Sequence, residues 1–318
     1  MPAPIALVGN LDAREETDYL VALAAAMPGE TVRPFRDLSE AERATVAVAI
    51  VANPDPAEVA RLPRLAWIHS LWAGVERLVR DLGPDAPPIV RLVDPELART
   101  MAEAVLAWTY YLQRDMPAYR RQQEAGIWRQ LPYRAPAETR VGLLGLGALG
   151  TAAAGRLVGA GFPVAAWTRS PPAGGGPPGV AAATGGPDGL TRLLGESDVV
   201  VCLLPLTAET RGLLDAGRFA AMKRGAALLN VARGAIVDTG ALLAALDAGH
   251  LDHAVLDVFE TEPLPAASPL WRHPGVTVLP HITGPTNPGS AAAVVAGNLR
   301  RYRETGRIPA AVDRARGY

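Results

Sequence analysis

Residues 141–150 read VGLLGLGALG, an apolar run that breaks into Gly145-x-Gly147-x-x-Gly150 and then continues at helical period. The order strand, glycine turn, helix constrains a chain severely, because each glycine has a different task. The first permits a tight turn, the second lets backbone approach a pyrophosphate, and the third lets helix and strand pack closely. A dinucleotide's pyrophosphate would rest at the helix N-terminus, where unpaired amides and the helix dipole favour an anion. In a chain with 32 glycines the pattern alone says little, and its place between strand and helix is what gives it weight. Position 151 is Thr, with no Lys beside it, which argues against a phosphate loop of the ATPase kind.

The fingerprint opens in the middle of 318 residues, a length that suits two domains of about 150 residues each. Short apolar runs alternate with helical stretches on both sides of it, the pattern of parallel strands covered by helices. Before it come PIALVG, a helix near residues 12–27, TVAVAIV, LAWIHSL and PIVRLV; after it come VGLL, PVAAW, VVVCLLP, AALLNVA, HAVLDV and VTVLP. The reading is therefore α/β, with two doubly wound parallel-sheet domains. A flavodoxin-like substrate domain is expected over 1–95 plus 288–318, and a Rossmann dinucleotide-binding domain over 96–287. One amphipathic helix is expected from Pro95 to about Ala125, and the Gly/Pro-rich stretch 171–189 reads as a mobile surface loop. The cleft between the domains is the default site.

Composition narrows the partners. A net charge of -1 gives no electrostatic case for nucleic acid or an acidic membrane, so small molecules or further copies of the chain are the expected partners. The single cysteine, Cys202, rules out a disulfide framework within the chain and fits a reducing compartment. MPAPIALVGN lacks the basic region and cleavage pattern of a signal peptide, and a soluble, cytoplasmic protein is expected. No metal site is expected.

In a nucleotide-binding sheet the second strand normally ends in an acid that accepts from the ribose hydroxyls. Here VAAWTRS ends in Thr168, Arg169 and Ser170. A guanidinium and two hydroxyls could hold a 2′-phosphate, and no neighbouring carboxylate in the sequence would repel it, which favours NADP(H) over NAD. Arginine supplies all but one of the 31 basic residues, so it is the simultaneous loss of the acid that makes Arg169 informative.

Three further segments, LLNVARGAIVD, AVLDVFETEPLP and VTVLPHITGPT, resemble the signatures of the D-2-hydroxyacid dehydrogenase family. SPLWRHPGVTVLPHI and VDRARGY resemble its glyoxylate/hydroxypyruvate reductase branch more narrowly, and the similarity runs over essentially the whole chain. The resemblance implies reduction of a small 2-oxo acid to a D-2-hydroxy acid by a homodimer joined through the nucleotide domain. Arg233 would hold the substrate carboxylate and polarise its 2-oxo group, a task for a planar, always-charged fork. His281 would give a proton to the forming alkoxide, and Glu262 would pair with the far imidazole nitrogen and keep the donating form present.

Around the cofactor the same resemblance places Gly145, Gly147, Leu149 and Gly150 at the pyrophosphate turn, and Leu204, Pro205 and Thr207 toward the adenine. Val231, Ala232, Arg233, His281 and Gly284 line its remaining path, and Asp257 either holds the nicotinamide amide or orders its own loop. His69, His250, His253, His273 and Glu260 read as structural or surface residues. In the first domain HSLWAGVERL is similar to the family loop whose amides bind the carboxylate, here Ala73 and Gly74. Trp72 stands where a small residue is common, and its ring either limits the substrate's chain or packs into the domain core or the dimer contact. Other readings are a nucleotide-sensing binding protein of the same fold, or a dehydrogenase for a different 2-oxo acid. The formate-oxidising branch carries Gln at the position of Glu262, which disfavours that reaction.

Overall fold

The computed structural model describes residues 3–171 and 176–314, and the chain separates into two compact units, Met1–Glu96 with Thr286–Tyr318, and Leu97–Pro285. The expected α/β class holds: each unit is a parallel sheet with its connections wound on both faces.

In the first unit the elements are β1 (Ile5–Gly9), α1 (Ala13–Ala26), β2 (Val32–Pro34), α2 (Glu40–Arg43), β3 (Val48–Ala52), α3 (Pro56–Ala60), β4 (Trp67–Ser70), α4 (Glu76–Leu82) and β5 (Ile89–Val90). The strand order is β2-β1-β3-β4-β5, the flavodoxin-like winding. The last helix of the chain, α11 (Pro288–Thr305), packs against α1, with Leu23, Val295 and Leu299 in one buried cluster. The three-residue strand β2 was not expected; VRP is too short to show alternation.

The second unit holds α5 (Pro95–Gln113), which begins at the boundary, then α6 (Met116–Glu124), β6 (Val141–Leu144), α7 (Ala148–Gly159), β7 (Val164–Trp167), β8 (Val180–Thr184), α8 (Gly186–Glu196), β9 (Val199–Cys202), α9 (Ala216–Ala221), β10 (Ala226–Asn230), α10 (Thr239–Asp247), β11 (Leu251–Leu256) and β12 (Val276–Val278). Its sheet runs β12-β11-β10-β9-β6-β7-β8. The strand order reverses between β6 and β9, and outside the carboxyl ends of the strands at such a reversal lies the crevice where open α/β sheets bind ligands.

Two expectations are corrected here. The helix expected from Pro95 to about Ala125 is broken at Asp115, which takes a left-handed φ of 53° before α6 begins at Met116 with Pro117 in its first turn. Asp tolerates that conformation, and Pro fits only a helix's first turn. The stretch 171–189 lies partly outside the described residues, and much of the rest is not loop: β8 adds a seventh strand to the six expected, and α8 starts at Gly186. The Trp167 indole donates to the Gly186 carbonyl at 2.9 Å and ties this edge down.

The strands read as continuous apolar runs because both faces are covered. Along β9, Val199, Val200, Val201 and Cys202 are all buried, and burial pushes the Cys202 thiol up to about 12, leaving it inert as a thiolate nucleophile. Among the described residues no helix is long and apolar enough to cross a membrane, and no cluster of His, Cys, Asp and Glu could hold a metal ion.

Candidate active site

The turn after β6 explains its glycines one at a time. Gly145 has φ 105° and its amide donates to the Trp167 carbonyl at 2.8 Å, locking β6 to β7. A Cβ on Gly150 would lie 2.1 Å from the Gly145 carbonyl oxygen, so any side chain there pushes α7 off the strand. Gly147, by contrast, faces open space: nothing lies within 4 Å of where its Cβ would be, and no side chain caps α7 at this residue. A cradle with no Cβ beside uncapped helical amides fits a pyrophosphate. Leu149 packs partly against the apolar cluster under α7.

Beyond β7, Thr168 is held by its amide's bond to the Thr184 carbonyl, while Arg169 and Ser170 are exposed. The loop after β9 lies beside them. Leu204 is buried, and the loop closes on itself through Thr210 Oγ1, which donates to the Pro205 carbonyl at 2.7 Å and accepts from the Thr207 amide at 2.8 Å. The two segments meet in an ion pair, Arg169 Nη1 to Glu209 Oε2 at 2.9 Å. The sequence reading of a site without a neighbouring carboxylate is therefore corrected: an acid is absent along the chain at 168–170 but present in space, from a loop forty residues away. Sequence adjacency could not reveal it.

The end of β10 carries Arg233. Asn230, 1% exposed, folds its side chain over the turn: Nδ2 donates to the Arg233 carbonyl at 3.1 Å and Oδ1 accepts from the Ala232 amide at 3.2 Å. Val231 and Ala232 are buried, and the Arg233 guanidinium donates to the Ala232 carbonyl at 2.6 Å. Gly234 lies directly on the next loop, where a Cβ would be 1.9 Å from the Phe259 carbonyl carbon and 2.3 Å from the Glu260 amide. That loop ends in Glu262. The Phe259 amide fixes its Oε1 at 2.8 Å, and its Oε2 meets His281 Nδ1 at 2.8 Å. Asn230 and Gly234 flank a motif the sequence singles out, yet nothing in their type announces these contacts.

His281 owes its placement to Asp257, at the end of β11. The Asp257 carbonyl accepts from the His281 amide at 3.0 Å, and its buried carboxylate accepts from the amides of Ile282 at 2.7 Å and Thr283 at 2.9 Å. Three bonds from one residue hold the chain as His281 adopts φ 54°. Of the two roles expected for Asp257, this geometry favours ordering the loop. Gly284 continues that loop against α5, where a Cβ would lie 2.8 Å from Met101 Cε.

Trp72, Ala73 and Gly74 follow β4 in the other unit. The Trp72 ring is half-buried, edge-on to Tyr19 with centroids 6.0 Å apart, and its amide is bound by Ser70 Oγ at 3.0 Å. His69 is buried between the Ser70 carbonyl, 2.8 Å from Nδ1, and Asn298 Nδ2, 3.0 Å from Nε2. His253 is buried against Thr277 at 2.9 Å, His250 meets the Met222 carbonyl, His273 meets Asp247, and Glu260 lies 3.9 Å from Arg211.

A sheet wound in this order, with a glycine turn and uncapped helical amides at its reversal point, is the architecture of a dinucleotide-binding domain. The model of the D-isomer specific 2-hydroxyacid dehydrogenase NAD binding domain matches residues 106–283. Glyoxylate/hydroxypyruvate reductase A of Citrobacter koseri is 35% identical over 306 residues, 94% of this chain and 96% of that one. A D-isomer specific 2-hydroxyacid dehydrogenase from Xanthobacter autotrophicus, solved with NADPH and MES, superposes with a TM-score of 0.92 at 41% identity, covering 100% of both chains. The NADPH-dependent glyoxylate/hydroxypyruvate reductase of Sinorhizobium meliloti, solved with NADP and sulfate, has a TM-score of 0.88 at 31% identity, covering 99% of this chain and 100% of that one. The chain belongs to the D-isomer specific 2-hydroxyacid dehydrogenase family, in its glyoxylate/hydroxypyruvate reductase branch.

Proposed function

We propose that the chain reduces small 2-oxo acids, glyoxylate to glycolate and hydroxypyruvate to D-glycerate. It is an NADP-dependent oxidoreductase acting on CH-OH groups, and bound NADPH supplies the hydride. The observation that carries the substrate reading is the Glu262–His281 pair at 2.8 Å on a loop packed directly against the Arg233 turn. With Nδ1 donating to the carboxylate, Nε2 is the atom that gives its proton to the oxygen as the 2-oxo carbon is reduced. Arg233 binds the substrate carboxylate and draws charge toward the 2-oxo oxygen, stabilising the alkoxide as it forms. Ala73 and Gly74 bind the carboxylate through their amides, and Trp72 limits the remaining substituent to one or two carbons.

Gly145, Gly147, Leu149 and Gly150 would hold the pyrophosphate; Thr168, Arg169 and Ser170 the 2′-phosphate; Leu204, Pro205 and Thr207 the adenine side. The working form is proposed to be a cytoplasmic homodimer joined through the nucleotide-binding unit. Support comes from the segment between α6 and β6, where Trp128 is 100% exposed and Ile127 and Tyr133 also face outward.

NADPH consumption across glyoxylate, hydroxypyruvate, pyruvate, 2-oxobutyrate and phenylpyruvate tests the reading. Glyoxylate or hydroxypyruvate should give the highest kcat/KM, and His281→Ala should abolish turnover while still binding NADPH. No turnover with any 2-oxo acid would leave a nucleotide-binding protein instead.

A further inference from the structure

We propose that Glu209 is a specificity-determining residue of the cofactor site, a carboxylate that stands on Arg169 in place of the 2′-phosphate and is displaced by it. The inference rests on the reading that Arg169 holds that phosphate. One oxygen, Glu209 Oε2, receives both the Arg169 guanidinium at 2.9 Å and the Thr207 hydroxyl at 3.4 Å. Both donors belong to segments assigned to the cofactor, and a phosphate oxygen at the same point would accept from the same pair. The loop that presents Glu209 is braced by Thr210 between Pro205 and Thr207, so the carboxylate is delivered by a shaped turn.

Carboxylate and phosphate cannot both occupy this position. Two anions against one guanidinium repel, and Glu209, 71% exposed, can rotate into water at little cost. NADPH binding therefore replaces one ion pair by another, and part of the attraction for the phosphate is offset. NADH makes no such demand. With it bound, Glu209 can stay on Arg169 and offer an acceptor toward the ribose hydroxyls, the task an acid at the end of β7 would otherwise perform. Glu209 thus narrows the preference for NADPH over NADH that Arg169 creates, while keeping the guanidinium aligned in the unliganded protein.

Equilibrium binding of NADPH, NADH, 2′,5′-ADP and 5′-AMP to the purified protein tests this without reference to turnover. Glu209→Gln should tighten NADPH and 2′,5′-ADP about two- to five-fold, the range open to a solvent-exposed ion pair. NADH and 5′-AMP should not tighten. In an Arg169→Ala background the same substitution should do nothing further. Equal tightening of 5′-AMP and 2′,5′-ADP, no change with either, or an undiminished gain without Arg169 would each overturn the proposal. If Arg169→Ala alone leaves 2′,5′-ADP binding intact, the phosphate assignment itself falls and the inference with it. Glu209→Ala repeats the experiment without the amide, and an unchanged Tm in both variants separates the effect from damage to the loop.

Discussion

Gly234 has no room for a side chain, and that single fact joins two residues that the proposed chemistry uses together. The turn bearing Arg233 and the loop bearing Glu262 touch backbone to backbone at Gly234 and Phe259, so neither can shift alone. Asn230 closes the same turn from inside with two hydrogen bonds. In that setting Arg233→Lys should lower kcat/KM for glyoxylate by roughly 100-fold or more, the scale on which one oxyanion donor counts. An ammonium cannot reproduce a fork that meets a carboxylate and a neighbouring oxygen together. The Kd for NADPH should be unchanged. Retention of half the parent kcat/KM would take Arg233 out of the mechanism.

Between elements, the contact of β4 with α11 is polar at one buried point. His69 Nδ1 donates to the Ser70 carbonyl and Nε2 accepts from Asn298 Nδ2, so the ring is neutral with its proton on Nδ1. Burial lowers His69 to about 4 from an ordinary value of 6.5, and protonation would set Nε2–H against the Asn298 amide. Because the folded value is depressed, the stabilisation is complete above pH 6.5. It is lost as pH falls toward 4, when the unfolded chain takes up a proton the native ring refuses. The slope from one such group reaches about 1.4 kcal/mol per pH unit. Denaturant unfolding of the parent and of His69→Gln between pH 6.5 and pH 4 should show a shallower fall in the variant. Parallel curves would mean that His69 takes up its proton in the folded state.

At the scale of the molecule each unit has its own sheet and its own apolar clusters on both faces, and Trp128 belongs to neither core. Fully exposing an indole forgoes about 2–3 kcal/mol that burial of a large apolar side chain would provide. A second copy of the chain is the partner proposed to cover it. Trp128→Arg should move the sedimenting species from dimer to monomer at micromolar protein without changing the far-ultraviolet circular dichroism of the fold. A parent protein that sediments as a monomer, or a variant that stays dimeric, would place the interface elsewhere or nowhere.

The glycine fingerprint, the apolar runs and the Arg, Glu and His segments were legible in the sequence because each depends on local demands. A turn without Cβ, a strand buried on both faces and a polar side chain in a loop that follows a strand all leave marks within a few residues. β8 was not legible: five residues of Val, Ala and Thr inside a Gly/Pro-rich stretch become a strand only because β7 offers its edge. The break at Asp115 depends on one left-handed residue within an otherwise continuous helical pattern. Only the tertiary structure could show that Glu209 reaches Arg169, that Gly234 lies on Phe259 and that Asp257 holds the His281 loop. Those relations join residues distant along the chain, and the winding of the sheet, which brings the carboxyl ends of its strands to one edge, is what makes them neighbours.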